Sequence, residues 1–383
     1  MQFPELPSFL IMSDLLKIVF VAGARPNFMK VAPLLKRVAT LNQTRGVGCL
    51  PIRPLLIHTG QHYDEKMSEV FFRELGIPAP DVNLGVGSGS HAVQTATVMT
   101  AFEKVVLEHR PDWVVVVGDV NSTVACTLVC AKMGIKVGHV EAGLRSYDRT
   151  MPEEINRLVT DALADLLLTP SEDANENLRR EGVSDRRIKL VGNIMIDSLI
   201  ENLPMSRQSN ILKQHGLEAG RFVFVTLHRP ANVDGQASLT AIMAEVQLLA
   251  RRLPVLFPIH PRTRKMLAEF GVTPSQGNGL QLIDPVGYHD SLCLTEAARL
   301  VLTDSGGLQE EATYFRTPCL TLRPNTERPV TVTMGSNRLT KLESLSDDLD
   351  EFLAGPERRG QVPPLWDGQT AQRTLEQILT ISQ

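Results

Sequence analysis

The sequence predicts an α/β protein of two doubly wound, Rossmann-like domains facing a central cleft. Three observations carry that prediction. Short runs rich in Val, Ile and Leu recur along the whole chain and alternate with helical patterns, which is the mark of βαβ units. Several of the runs are continuously apolar rather than alternating, as expected of parallel strands covered on both faces. At 383 residues the chain also exceeds one ordinary core, and two domains of roughly 150–200 residues are the natural division.

Taken in order, the strand runs of the first half are KIVFVAG at 17–23, PLLIHTG at 54–60, WVVVVGD at 113–119, VGHVEAG at 137–143, LLLTP at 166–170 and IKLVGN at 188–193. Those of the second half are FVFVTLH at 222–228, VLFPIH at 255–260, LQLID at 280–284, LVLTD at 300–304 and CLTL at 319–322. Between them lie helical stripes such as Val31, Leu34, Leu35 and Val38, and Ile155, Leu158, Val159 and Ala162, spaced to share one helix face. About six strands per half argue for two sheets rather than one large sheet. Polar residues and Pro204 cluster at 195–220, so the domains are set at 17–200 and 201–365. Residues 1–16 read as an extension before the first strand, with Met12 an alternative start, and 366–383 as a helix packing back on the first domain.

Bulk properties exclude several classes. A net charge of -4 gives no electrostatic footprint for nucleic acid or an anionic membrane surface. The short apolar patch near the N-terminus lacks a preceding basic region, and no run reaches the ~18 apolar residues of a membrane-spanning helix. The five cysteines include no C-x-x-C pair, and reduced, buried thiols fit a cytoplasmic protein. The nine histidines form no metal-binding pattern. There is no P-loop, and no G-x-G-x-x-G follows the first strand.

Ligands of open parallel sheets bind beyond the carboxyl ends of the strands, and there the chemically useful residues gather. In TDSGGLQEE at 303–311, Ser305, Gly306 and Gly307 open a helix whose N-terminus suits phosphate oxygens. Glu311, about one and a half turns on, is placed to accept hydrogen bonds from a ribose diol. In GARPNFMK at 23–30, Arg25 is placed near a helix start to reach a diphosphate, with Lys30 on the first turn. Asp119 follows four valines, where partial desolvation suits an acid or base; the alternative is an N-cap for the next helix. Glu141 leaves another strand. Glu153 and Arg157 lie one turn apart, either as a catalytic carboxylate with its positioning group or as a local salt bridge. His228 and His260 each end a strand of the second half.

GARPNFMK, HTGQHYDEKM, GDVNST, HVEAGLRS, MPEEINR, TLHRPANV, PIHPR, DSGGLQEEA and TERP occur in that order from Lys17 onward. Together they resemble the bacterial non-hydrolysing UDP-N-acetylglucosamine 2-epimerases. The resemblance implies a GT-B-like fold, a homodimer, a UDP-sugar substrate and no cofactor, metal or nicotinamide. It implies that Asp119, Glu141 and Glu153 are the catalytic carboxylates. His228 and Arg328 would line the pocket, His260 would lie near the nucleotide, and Gln61 and His62 would mark a regulatory site. The implied chemistry removes the proton on carbon 2 as UDP leaves carbon 1, then re-adds UDP to the glycal with protonation on the other face. Pro230 stands where family members often carry a second arginine, and no arginine lies between Arg73 and Arg110. Rival readings are a 2-epimerase of a modified UDP-sugar such as a diacetamido-glucuronate, a hydrolysing epimerase, a GT-B glycosyltransferase, and a UDP-sugar sensor without turnover. Three grouped carboxylates speak against the last.

Overall fold

A computed structural model describes residues 15–44, 50–60, 76, 78–273 and 279–382, without the side chains of Arg25 and Pro26. The expected N-terminal extension before residue 15, Cys49, Gln61 and His62 lie outside the described residues.

The first sheet contains β1 (Leu16–Ala22), β2 (Ile52–His58), β3 (Val82–Asn83), β4 (Trp113–Val117), β5 (Lys136–Val140), β6 (Leu166–Thr169) and β7 (Ile188–Leu190). Their order is β3-β2-β1-β4-β5-β6-β7. The second contains β8 (Val223–Thr226), β9 (Val255–Pro258), β10 (Leu280–Ile283), β11 (Leu300–Thr303), β12 (Cys319–Leu322) and β13 (Asn337–Thr340), in the order β10-β9-β8-β11-β12-β13. β1 pairs in parallel with both β2 and β4, and β8 with both β9 and β11. The winding therefore reverses beside β1 and beside β8, and the crevices at those switch points are where such sheets take ligands.

The continuous apolar runs have a direct physical cause. Along β8, Val223 and Val225 enter one hydrophobic cluster with Leu300 and Leu302, while Phe224 enters another with Val301 and Leu256. Successive side chains point to opposite faces, so a sheet buried on both needs apolar residues at every position. β4 obeys the same rule, with all five residues buried.

By contact density the chain divides into two compact units, Met1–His139 with Leu163–Asp165, and Val140–Ala162 with Leu166–Gln383. The expected linker at 195–220 begins in the helix Ile194–Ser206 and ends before β8. The last helix, Thr370–Ser382, packs on Ile194–Ser206. Asp197 accepts from the amides of Thr370 at 3.1 Å and Ala371 at 2.8 Å, and Trp366 Nε1 donates to the carbonyl of Pro170 at 3.2 Å. Among the described residues no helix is long and apolar enough to cross a membrane.

Candidate active site

At the switch point of the second sheet, His228 follows the end of β8 by two residues and Asp304 directly follows β11. Asp304 is fully buried, and four donors converge on its carboxylate: the amides of His228 and Arg229, the side-chain amide of Asn232, and His228 Nδ1 at 3.0 Å. Burial opposes ionisation, yet the hydrogen bonds from His228, Arg229 and Asn232 hold this carboxyl below its ordinary value. With Nδ1 donating to Asp304, the Nε2 of His228 is left to accept a proton or a hydrogen bond. His260 is set the opposite way. It caps the helix Pro261–Glu269, its Nδ1 accepting from the amide of Arg262 at 3.2 Å, so Nε2 is the donor of the neutral ring. The two rings lie 5.3 Å apart. Burial, then the neighbouring His228, lowers the pKa of His260.

The helix Gly306–Phe315 starts beside this pair. Its N-cap, Ser305, makes no side-chain capping bond. A Cβ on Gly306 would sit 2.9 Å from both Arg328 Nη1 and Glu327 Oε1, whereas one on Gly307 would meet nothing within 4 Å. Gly306 thus lets the Arg328 guanidinium close on the helix N-terminus, and Gly307 leaves that terminus open. Arg328 is buried and paired with Glu310 at 2.8 Å and with Glu327. Glu310 also accepts from Asn193 at 2.8 Å. Glu311 is buried on the same helix, and burial, reinforced by Glu310, pushes its carboxyl up to about 8.

The strand exit after β5 carries Glu141, and the helix Pro152–Leu163 follows. Glu141 is buried and adopts φ 70°. Glu153 is exposed, and its charge acts on the half-buried Arg229. Arg157 is buried and forms an ion pair with Glu154, at 2.6 Å across i,i+3. Glu154 also accepts from the amides of Ser146 at 3.0 Å and Tyr147 at 2.9 Å. The turn-spaced pair that the sequence suggested thus joins Arg157 to the neighbour of Glu153, and Glu153 itself points outward.

In the first unit, Asp119 is half-buried after β4. The N-cap position of the following helix, Asn121–Met133, is Val120, one residue after Asp119. Arg25 begins the helix Arg25–Gln43, and Lys30 on the same helix is 6% exposed. Asn27 accepts from the amides of Gly23 and Ala24 and donates to the carbonyl of Val117 at 2.9 Å, tying the ends of β1 and β4 together. Among the described residues no group of three or more His, Cys, Asp and Glu could hold a metal ion.

A family model described as UDP-N-acetylglucosamine 2-epimerase matches residues 51–379. The chain belongs to that family. A UDP-N-acetylglucosamine 2-epimerase of Methanococcus maripaludis is 42% identical over 335 residues, covering 84% of this chain and 87% of its own. A UDP-2,3-diacetamido-2,3-dideoxy-D-glucuronate 2-epimerase of Pseudomonas aeruginosa is 39% identical over 328 residues, covering 85% and 88%. The crystal structure of Methanocaldococcus jannaschii UDP-GlcNAc 2-epimerase, in complex with UDP-GlcNAc and UDP, superposes with a TM-score of 0.84 at 39% identity, over 96% of this chain and 100% of that one. These likenesses and the two parallel sheets make the fold GT-B-like. The family is thus represented by an archaeal relative at 42% identity as well as by a bacterial one at 39%.

In the sequence Asp304 reads only as a strand-exit residue. Its part as the anchor of His228 shows once β8 and β11 are known to be neighbours. The sequence alone does not tell that Glu154 rather than Glu153 turns inward, nor that Glu310 is buried together with Glu311.

Proposed function

We propose that this enzyme is a non-hydrolysing UDP-N-acetylglucosamine 2-epimerase, interconverting UDP-GlcNAc and UDP-ManNAc as a cytoplasmic homodimer without metal or cofactor. The observation that carries the reading is the second-sheet switch point. An open glycine helix start, a buried arginine beside it, two oppositely set imidazoles and the inward carboxylate of Glu311 lie around one pair of strand ends. Ser305, Gly306, Gly307 and Arg328 receive the diphosphate, Glu311 the ribose hydroxyls and His260 Nε2–H the nucleotide. Arg25 and Lys30 are assigned to the phosphates by their motif, and Arg157 supports the substrate through Glu154 and its neighbour Glu153. Gln61 and His62 remain the candidate regulatory pair. The domains of this reading are 17–200 and 201–365, with 366–383 returning to the first.

In the forward direction a carboxylate among Asp119, Glu141 and Glu153 takes the carbon-2 proton. The C2–H electron pair becomes the C1=C2 bond, and the C1–O bond breaks toward UDP. His228, once its Nε2 also carries a proton, donates from Nε2 to the departing diphosphate while Nδ1 stays on Asp304. Re-addition runs these steps in reverse, with a second acid protonating the opposite face of carbon 2.

Proton NMR with UDP-GlcNAc in deuterated water tests this. Loss of the carbon-2 proton signal with a UDP-manno product and little free UDP is expected. Free UDP with N-acetylmannosamine would replace the non-hydrolysing reading by a hydrolysing one. Asp119→Asn should abolish the exchange while UDP binding persists. The Pseudomonas relative favours a second reading, a diacetamido-glucuronate sugar nucleotide as substrate. Exchange on that substrate but not on UDP-GlcNAc would establish it.

A further inference from the structure

The segment from Glu141 to Tyr147 is bound by buried charge at several points. Two of its non-glycine residues, Glu141 at φ 70° and Tyr147 at φ 59°, lie in the left-handed region, which costs an L side chain steric energy. Gly143, at φ 79°, approaches the neighbouring helix so closely that a Cβ would sit 2.5 Å from the carbonyl oxygen of Ala174. Such a backbone persists only where its surroundings over-determine it.

Arg145 supplies one of the restraints. Its side chain is fully buried, its Nη1 lies 2.7 Å from Asp161, and its Nε and Nη2 grip Glu181 at 2.8 and 2.7 Å. Asp161 in turn accepts from the amide of Gly143 at 3.0 Å. The guanidinium therefore ties the helix Pro152–Leu163 to the C-cap of the helix Glu172–Arg180 and holds the acceptor that fixes the middle of the segment. Glu154 supplies the other restraint, through the amides of Ser146 and Tyr147. Asn177 joins the two by donating to Gly143 O at 2.9 Å and accepting from the Tyr147 hydroxyl at 2.5 Å.

We infer that Arg145 is a positioning residue for the epimerisation, which, with Asp161, Glu181 and Glu154, forces Glu141 into the left-handed turn that aims its carboxylate. The inference rests on the proposed acid–base role of Glu141. A planar fork that reaches two carboxylates at once is a task for arginine, and lysine, a single point charge, satisfies only one of them. Displacing a catalytic group by about an ångström costs on the order of 100-fold in rate.

The test compares full-length wild type, Arg145→Lys and Glu181→Gln by three measurements: carbon-2 exchange kinetics across pH, UDP affinity by calorimetry, and amide hydrogen exchange resolved to residues 141–147. For Arg145→Lys the expected result is about a 100-fold fall in kcat. KM and the UDP Kd should stay within about twofold, the pH profile of kcat should shift, and hydrogen exchange should rise about tenfold at 141–147 alone. Glu181→Gln, which loses one arm, should fall between the two and carries the test if Arg145→Lys does not fold. A folded Arg145→Lys with wild-type kcat and wild-type protection at 141–147 overturns the inference. So does a variant whose kcat, UDP affinity and protection all decline together. A wild-type enzyme without carbon-2 exchange, combined with local loss of protection in the variant, refutes the functional reading and leaves the clamp standing.

Discussion

Replacing Glu311 by glutamine should make the ligand-free protein more stable in alkali and abolish UDP binding. The ordinary value of this carboxyl is 4.5, and burial with Glu310 alongside sets it at about 8 in the folded chain. The folded state then holds the proton more tightly than the unfolded state, by about 5 kcal/mol at about 1.36 kcal/mol per tenfold. The sign follows from proton counting. Between pH 4.5 and 8 the folded chain binds more protons than the unfolded chain, so stability falls as pH rises through that window. Glutamine cannot ionise, so the variant lacks this fall. Denaturant titrations of both proteins at pH 5, 7 and 9 isolate the contribution, because all other titrating groups cancel in the difference. The glutamine variant should gain on wild type by several kcal/mol from pH 5 to pH 9. In wild type, ribose hydroxyls select the carboxylate form, so UDP affinity should rise about tenfold from pH 7 to pH 9. A pH-independent stability difference, or UDP affinity that is flat over that range, would refute this account of Glu311.

Asp304→Asn turns an NH2 toward at least one of the four donors now satisfied by the carboxylate, and should cost about 2–4 kcal/mol of stability, read by denaturant melts, as well as the exchange activity. Gly306→Ala places a methyl against Arg328 and Glu327 and should destabilise the free protein by about 1–3 kcal/mol. Gly307→Ala meets no neighbour and should leave stability within about 0.5 kcal/mol, yet it should weaken UDP binding measured by calorimetry, since its methyl faces the diphosphate. Asp197→Ala removes the acceptor for two amides of the last helix and should cost about 1–2 kcal/mol, with hydrogen exchange rising first over residues 370–382.

The fold was legible wherever apolar burial on two faces forms the strand, as in the valines of β4 and the Phe-Val-Phe-Val run into β8. It was not legible at β3 and β13. β3 has two residues, too short for any period. β13 lies at the edge of its sheet, and its first residue, Asn337, is held by hydrogen bonds from Thr321 and to Gln309 and Thr331 rather than by apolar contact. Most strand runs also extend one to three residues beyond the strand ends, because the apolar pattern passes smoothly into exit residues such as Leu227 and Ile259 that are themselves buried. At the site, the helix-start glycines and Glu311 were legible because phosphate recognition demands a local pattern. The partners that set the imidazoles and the Glu141 turn were not. Asp304 meets His228 across 76 residues, and Arg145 meets Glu181 across 36, distances over which spacing carries no signal.

The bond from Trp366 to Pro170 and the seating of the last helix on Asp197 bear on how the chain is made. Ribosomal synthesis delivers Pro170 and Asp197 long before their partners, which follow 196 and 173 residues later. Until those partners emerge, Asp197 must stay hydrated or protonated, and the helix Ile194–Ser206 lacks one of its covers. A nascent chain halted before residue 366 therefore exposes an unfinished seam in its middle, a natural foothold for chaperones and proteases. Emergence of residues 366–382 closes a seam whose other side was made more than 170 residues earlier.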